Sequence, residues 1–177
     1  MAKFQIQKSS STVNWTGKKV LGLHTGSINV EGGSIELEDN KITGGEIIID
    51  MTSISITDID DSKTNQDFKD HLFNDDFFAV DKFPTSQLII KEGIALSNNQ
   101  YQLNGVLTVK DISHPVSFSA TVEVFTDTLH SLGEIVIDRT LYNIRYGSGK
   151  FIDNLGDKLI YDDFVLQFKL VAQKINQ

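Results

Sequence analysis

Apolar and polar residues alternate one for one over most of this chain, which is the period of a strand with one buried face. "YQLNGVLTV" sets Tyr101, Leu103, Leu107 and Val109 on one side, and "VSFSATVEV" sets Val116, Phe118, Ala120, Val122 and Val124 against Ser117, Ser119, Thr121 and Glu123. "IYDDFVLQFKL" repeats the pattern with Phe164, Leu166, Phe168 and Leu170. Turn-forming residues separate such runs at Glu31-Gly32-Gly33, Asp39-Asn40, Ser97-Asn98-Asn99 and Asp111 to Pro115. This spacing predicts an antiparallel meander. Gly44-Gly45, ahead of "EIIID", falls inside a strand pattern and predicts a bulge, the device that curls a sheet toward closure. The expected fold is all-β: an antiparallel β-barrel of about eight strands in a single domain.

One segment breaks the alternation. "HLFNDDFFAVDKFP", His71 to Pro84, crowds four phenylalanines beside three aspartates. Upstream, Thr64 fits a helix N-cap with Asp67 at the third helical position, and Phe68 and Leu72 then lie four apart on one face. Asn74-Asp75-Asp76 ends this short helix, and Pro84 pushes Phe83 into an extended backbone before "TSQLIIK". The aspartates serve as caps and solvated edges. The phenylalanines are what the insertion buries against one face or end of the barrel.

A barrel of this size is either filled by its own side chains or holds one small ligand. The inward set includes Trp15, Ile28, Ile47, Ile49, Leu88, Leu103, Leu107, Phe118, Ala120, Ile137, Phe164 and Leu166, which are the candidate ligand-lining residues. Hardly any inward position is polar. A ligand inside would have to be a hydrocarbon, because a buried polar group needs a partner.

Composition narrows the partners. The chain of 177 residues carries a formal net charge of -8, so a nucleic-acid partner is not expected. Its nearest basic cluster, Lys18-Lys19, reads as a solvated strand end. Without cysteine there is no disulfide, thiolate catalyst or thiolate metal site. "MAKFQIQKSSS" holds no apolar run suited to a leader, and no later stretch approaches a membrane-spanning helix, so the chain is not expected to be membrane-embedded. It is cytoplasmic if this N-terminus is native, and exported if a leader preceded it.

Motifs for chemistry are sparse. His24, His71, His114 and His130 show no metal-ligand spacing, "DIDD" at 58–61 lacks the rest of a calcium loop, and "GSGK" at 147–150 lacks the flanks of a phosphate loop. There is no G-x-S-x-G elbow. No metal or cofactor is expected, and no catalytic residue is assigned. Two rival readings stand beside a binding barrel: an enzyme using His24 or His114 as general base, and a packed, dimeric interaction module.

Six stretches in order, from "HTGSINVEGG" through "ITGGEIIIDMTSISITD", "HLFNDDFFAVDKFPTSQL", "LNGVLTVKDISHPVSF" and "GEIVIDRTLYNIRYGSG" to "LGDKLIYDDFVLQFKLVA", resemble the YceI-like family of polyisoprenoid-binding proteins. The resemblance is carried by His24 and Gly26, by Asp50, Met51, Ser53 and Ile54, by the phenylalanine insertion, by Gly105, Leu107 and Thr108, and by Asp138-Arg139 ahead of Tyr142. It implies a lipocalin-like barrel around an apolar tunnel for an isoprenoid or other long-chain lipid, no catalysis, and a periplasmic or secreted location. The "KDISHP" turn departs from the family by lacking a glycine. Any head-group recognition would fall to rim candidates His24, Arg139, Tyr142 and Arg145. A homodimer is the expected assembly.

Overall fold

Paired left-handed residues make the tight turns. Asp39 and Asn40 (φ 48° and 61°) and Lys110 and Asp111 (φ 53° and 59°) form the two-residue connections whose twist matches a hairpin. In this computed structural model, which describes residues 1–176, such turns help join nine strands. They are β1 (Ala2–Ile6), β2 (Thr12–Lys19), β3 (Gly22–Glu38), β4 (Lys41–Ile56), β5 (Thr85–Ala95), β6 (Gln100–Val109), β7 (Ile112–Val124), β8 (Thr128–Asp138) and β9 (Ile160–Ile175). The α-helix α1 (Ser62–Phe73) lies between β4 and β5.

All pairings are antiparallel, and β3 pairs with β4 to close the sheet on itself. β1 and β2 both lie between β3 and β9: β1 faces Ser34–Leu37 and Ala172–Ile175, whereas β2 faces Gly22–Ile28 and Ile160–Lys169. They are two lengths of one stave, broken by a 3-10 turn at Lys8–Ser10. The closed barrel thus has eight strand positions.

Three local expectations need correction. Glu31-Gly32-Gly33 is not a turn but the bent middle of β3, where the register slips between Val30 and Gly32. Gly33 has φ 143°, and a Cβ there would collide with the Glu46 carbonyl. Pro115 lies within β7 opposite Val106, along a stretch where β7 pairs with β6 and not yet with β8, so the strand tolerates it. The helix N-cap is Asp61, not Thr64: the Asp61 carboxylate accepts from the Thr64 amide at 2.8 Å and its hydroxyl at 2.6 Å. A carboxylate at this end also suits the helix dipole.

The bulge expected at Gly44-Gly45 is present, since Glu36 pairs with Gly44 while Leu37 pairs with Ile42. A larger one follows. Ser27 faces Ser55 but Asn29 faces Asp50, leaving Met51 to Ile54 opposite a single residue. Asp50 Oδ1 accepts from the Thr52 amide at 3.0 Å, and Ser53 Oγ both donates to the Asp50 carbonyl and accepts from the Asn29 amide. Those bonds satisfy the backbone groups the ladder loses. Met51 and Ile54, three apart, consequently both point into the barrel. No helix among the described residues is long and apolar enough to cross a membrane.

Candidate functional site

The turns β2–β3 and β6–β7, the helical insertion and the 139–159 connection all lie at one end of the barrel, since adjacent strands run antiparallel. That end is roofed by the insertion. Phe68 and Leu72 from α1, with Phe77 and Phe78 from the following turn, reach down onto a chamber of about 310 Å³. Phe78 stands edge-on to Phe164 with centroids 6.4 Å apart, and Phe68 lies 4.8 Å from the His24 ring. Phe73 and Phe83, by contrast, are absent from the chamber wall.

A second, tighter chamber of about 70 Å³ lies deeper in the barrel. Val13, Ile49, Leu107, Ile137 and Leu166 belong to both walls and form an aliphatic ring between the two spaces. Of the residues expected to line a ligand, Trp15, Ile28 and Phe164 stand on the upper wall, and Ile47, Leu88, Leu103 and Phe118 on the lower. Ile49, Leu107, Ile137 and Leu166 stand in the ring. Ala120 is corrected: it is buried but on neither wall, and its partner Gly133 on β8 is overlain by the Phe168 ring.

Gly26 explains its place two residues after His24. A Cβ there would collide with the Ser55 carbonyl and come within 2.5 Å of the Trp15 ring. The bare backbone lets Trp15 lie flat against β3 and donate from Nε1 to the Ser55 carbonyl at 3.1 Å. His24 Nδ1 sits 2.9 Å from Asp58 Oδ2 at the mouth, and the other carboxylate oxygen accepts from the Thr25 amide. Burial alone would raise the Asp58 pKa, but the Thr25 amide and the His24 side chain outweigh it and hold the carboxyl below its ordinary value.

The other rim candidates separate. Arg139 is 4% exposed and reaches the upper wall, but its guanidinium donates to the carbonyls of Tyr161, Ile144 and Ile160, each at 3.1 Å. Burial lowers its pKa. Its nearest carboxylate is Asp162 at 4.0 Å; an Arg139–Asp138 ion pair does not form, because Asp138 accepts from Thr140 and Lys150 instead. Tyr142 and Arg145 are corrected as rim groups. Tyr142 is packed away from the chamber, edge-on to His114, with its pKa raised by burial and by Asp138. Arg145 lies outside, 4.4 Å above the Phe151 ring.

Lys18, Lys19, His24, Tyr161 and Asp163 supply the polar edge of the mouth, while below it the walls are almost wholly aliphatic and aromatic. Ser86 is one exception, and it donates to Met51 Sδ at 3.1 Å. Among the described residues no buried side-chain nitrogen or oxygen lacks a partner, and no three His, Asp or Glu side chains gather as metal ligands. Met51, Ile54 and Ile144 were not anticipated as lining residues. The signal for the first two was present in Asp50-x-Thr52-Ser53, a turn-forming sequence inside a strand.

Residues 4–172 match the family described as the YceI-like domain. No curated protein matches the chain. Among solved structures it is similar to Burkholderia cenocepacia BcnA (TM-score 0.75, 20% identity, covering 94% of this chain and 99% of that one). It is similar also to a polyisoprenoid binding domain from Saccharophagus degradans implicated in plant cell wall breakdown (TM-score 0.72, 14% identity, 97% and 98% covered). A third is the Campylobacter jejuni YCEI protein (TM-score 0.63, 18% identity, 84% and 85% covered). At these identities the structures speak for the fold.

Proposed function

The chain belongs to the YceI-like family, and on that premise we propose that it is a non-enzymatic carrier that takes a linear hydrophobic ligand, a polyisoprenoid or quinone tail, into the barrel. The observation that carries this reading is the pair of apolar chambers meeting at the aliphatic ring. Their shape suits a thin chain, with the tail threaded through the ring and the head left at the polar mouth. The likeness to a polyisoprenoid binding domain supports the ligand class. Each Å² of apolar tail withdrawn from water contributes about 25 cal/mol, so affinity needs few polar contacts.

The rivals fare less well. A packed interaction module has no use for an unfilled interior of this size. An enzyme would need a base poised against a polar group on the wall. The His24 partner is Asp58, which is not part of that wall, and His114 bonds the Leu141 carbonyl and packs on Tyr142. Family members commonly act outside the cytoplasm, and we assign the carrier there.

Native mass spectrometry of protein purified from its own cells, followed by lipid extraction, tests the carrier. A stoichiometric adduct of isoprenoid mass is expected. Adduct-free protein that also refuses polyprenol and quinone offered in detergent would overturn the reading.

A further inference from the structure

We propose that the tip of the β2–β3 hairpin, with the adjoining loop at Phe151 and Ile152, docks on an anionic lipid bilayer beside the chamber mouth; this rests on the carrier reading and supplies its route of loading. Hairpin tips are ordinarily polar. Here the sequence through the turn is Lys18-Lys19-Val20-Leu21-Gly22-Leu23, and Leu21 and Leu23 are 72% and 50% exposed. Apolar side chains gathered at a tip mark a contact surface.

The second loop stands beside it. The Val20 amide donates to the Leu159 carbonyl at 3.3 Å, and a Cβ on Gly149 would meet Leu159 Cδ1 at 3.0 Å, so the hairpin tip and the 149–152 loop share one end of the barrel. Phe151 and Ile152 are 49% and 41% exposed there. Lys18 and Lys19 lie between these apolar groups and the chamber, on its rim.

Charge selects the surface. The chain as a whole is at -8, yet the hairpin tip, residues 17–24, carries Lys18 and Lys19 and no carboxylate, while Asp162 and Asp163 lie behind it on β9. Lys150 is committed to Asp138 and Asp162, and Arg145 lies over Phe151. Phe125, exposed at the opposite end, sits between Glu123 and Asp127, which an anionic membrane repels. Leucines entering the headgroup boundary with lysines at the phosphates is the arrangement of an interfacial anchor. A hydrocarbon tail could then pass from bilayer to chamber without crossing water.

The test is flotation with phosphatidylglycerol–phosphatidylcholine vesicles and with phosphatidylcholine alone, comparing the native chain with the paired variant Leu21→Asp and Leu23→Asp. Analytical ultracentrifugation and uptake of detergent-solubilised polyprenol are measured on the same samples. The native chain should float with the anionic vesicles, less so in high salt, and the variant's partitioning should fall about tenfold or more. Polyprenol uptake from detergent should not change. Equal flotation of both proteins, or none by either, overturns the proposal, as does a dimer that the variant splits while flotation persists. Flotation without any polyprenol uptake would instead remove the carrier reading and leave the docking surface standing.

Discussion

Arg139 Nε donates to the Tyr161 carbonyl at 3.1 Å, fastening the end of β8 to the start of β9. With the bonds to Ile144 and Ile160 it closes the 139–159 connection around one cation. Arg139→Met keeps the bulk and leaves three carbonyls without their donor. Stability should fall by about 3–5 kcal/mol, read as a lower urea midpoint at unchanged slope. Arg139→Lys should recover little, since an ammonium lacks the planar fork.

Gly26→Ala places a methyl where the Ser55 carbonyl and the Trp15 ring already stand. Either β3 parts from β4 or Trp15 turns out of its site and loses the bond to Ser55. A loss of about 2–4 kcal/mol is expected, with a changed Trp15 fluorescence spectrum. Trp15 is the chain's single tryptophan, so the spectrum reports this site alone.

Leu107→Trp fills the ring between the chambers. In a hollow barrel it should abolish binding of long polyprenol, measured by displacement of a fluorescent lipid, while costing less than about 1.5 kcal/mol of stability. A larger loss of stability with binding intact would mean that the ring position is already packed and that no chain passes it.

Acid should loosen the mouth first. The Asp58 carboxyl is held below its ordinary value of 3.8, so its tie to His24 and Thr25 contributes stability that is present above about pH 4 and is lost as pH falls through the depressed folded value. Asp138, whose carboxyl is likewise lowered because Thr140 and Lys150 outweigh burial, acts over the same window. Thermal midpoints between pH 5 and 2 should therefore drop less steeply in Asp58→Asn than in the native chain. Parallel curves would show that the tie contributes no pH dependence.

The strands were legible because each has one wet face, and a period of two shows that at once; Phe118 and Leu166 could be turned inward from their neighbours alone. Closure was legible through Gly44. The wide bulge at Met51–Ile54 was not, because side-chain bonds from Asp50 and Ser53 override the alternation there. Glu31–Gly33 misled because glycine serves a bend within a long strand as readily as a turn. Asp61 and Thr64 are both good caps, and the carboxylate takes the place of the hydroxyl. Tyr142 and Arg145 follow a strand end whose irregular path has no period to read. Empty volume is a property of how side chains meet across the barrel, and alternation reports direction only.

The stave shared by β1 and β2 sets an order on synthesis. It is held on one side by β3 and on the other by β9, and β9 leaves the ribosome after every strand it must join. Until β9 is in place the sheet can be no more than an open trough with its apolar lining exposed to water. A cell making this protein must shield that trough or finish the chain quickly, and cargo cannot be enclosed before translation has passed β9.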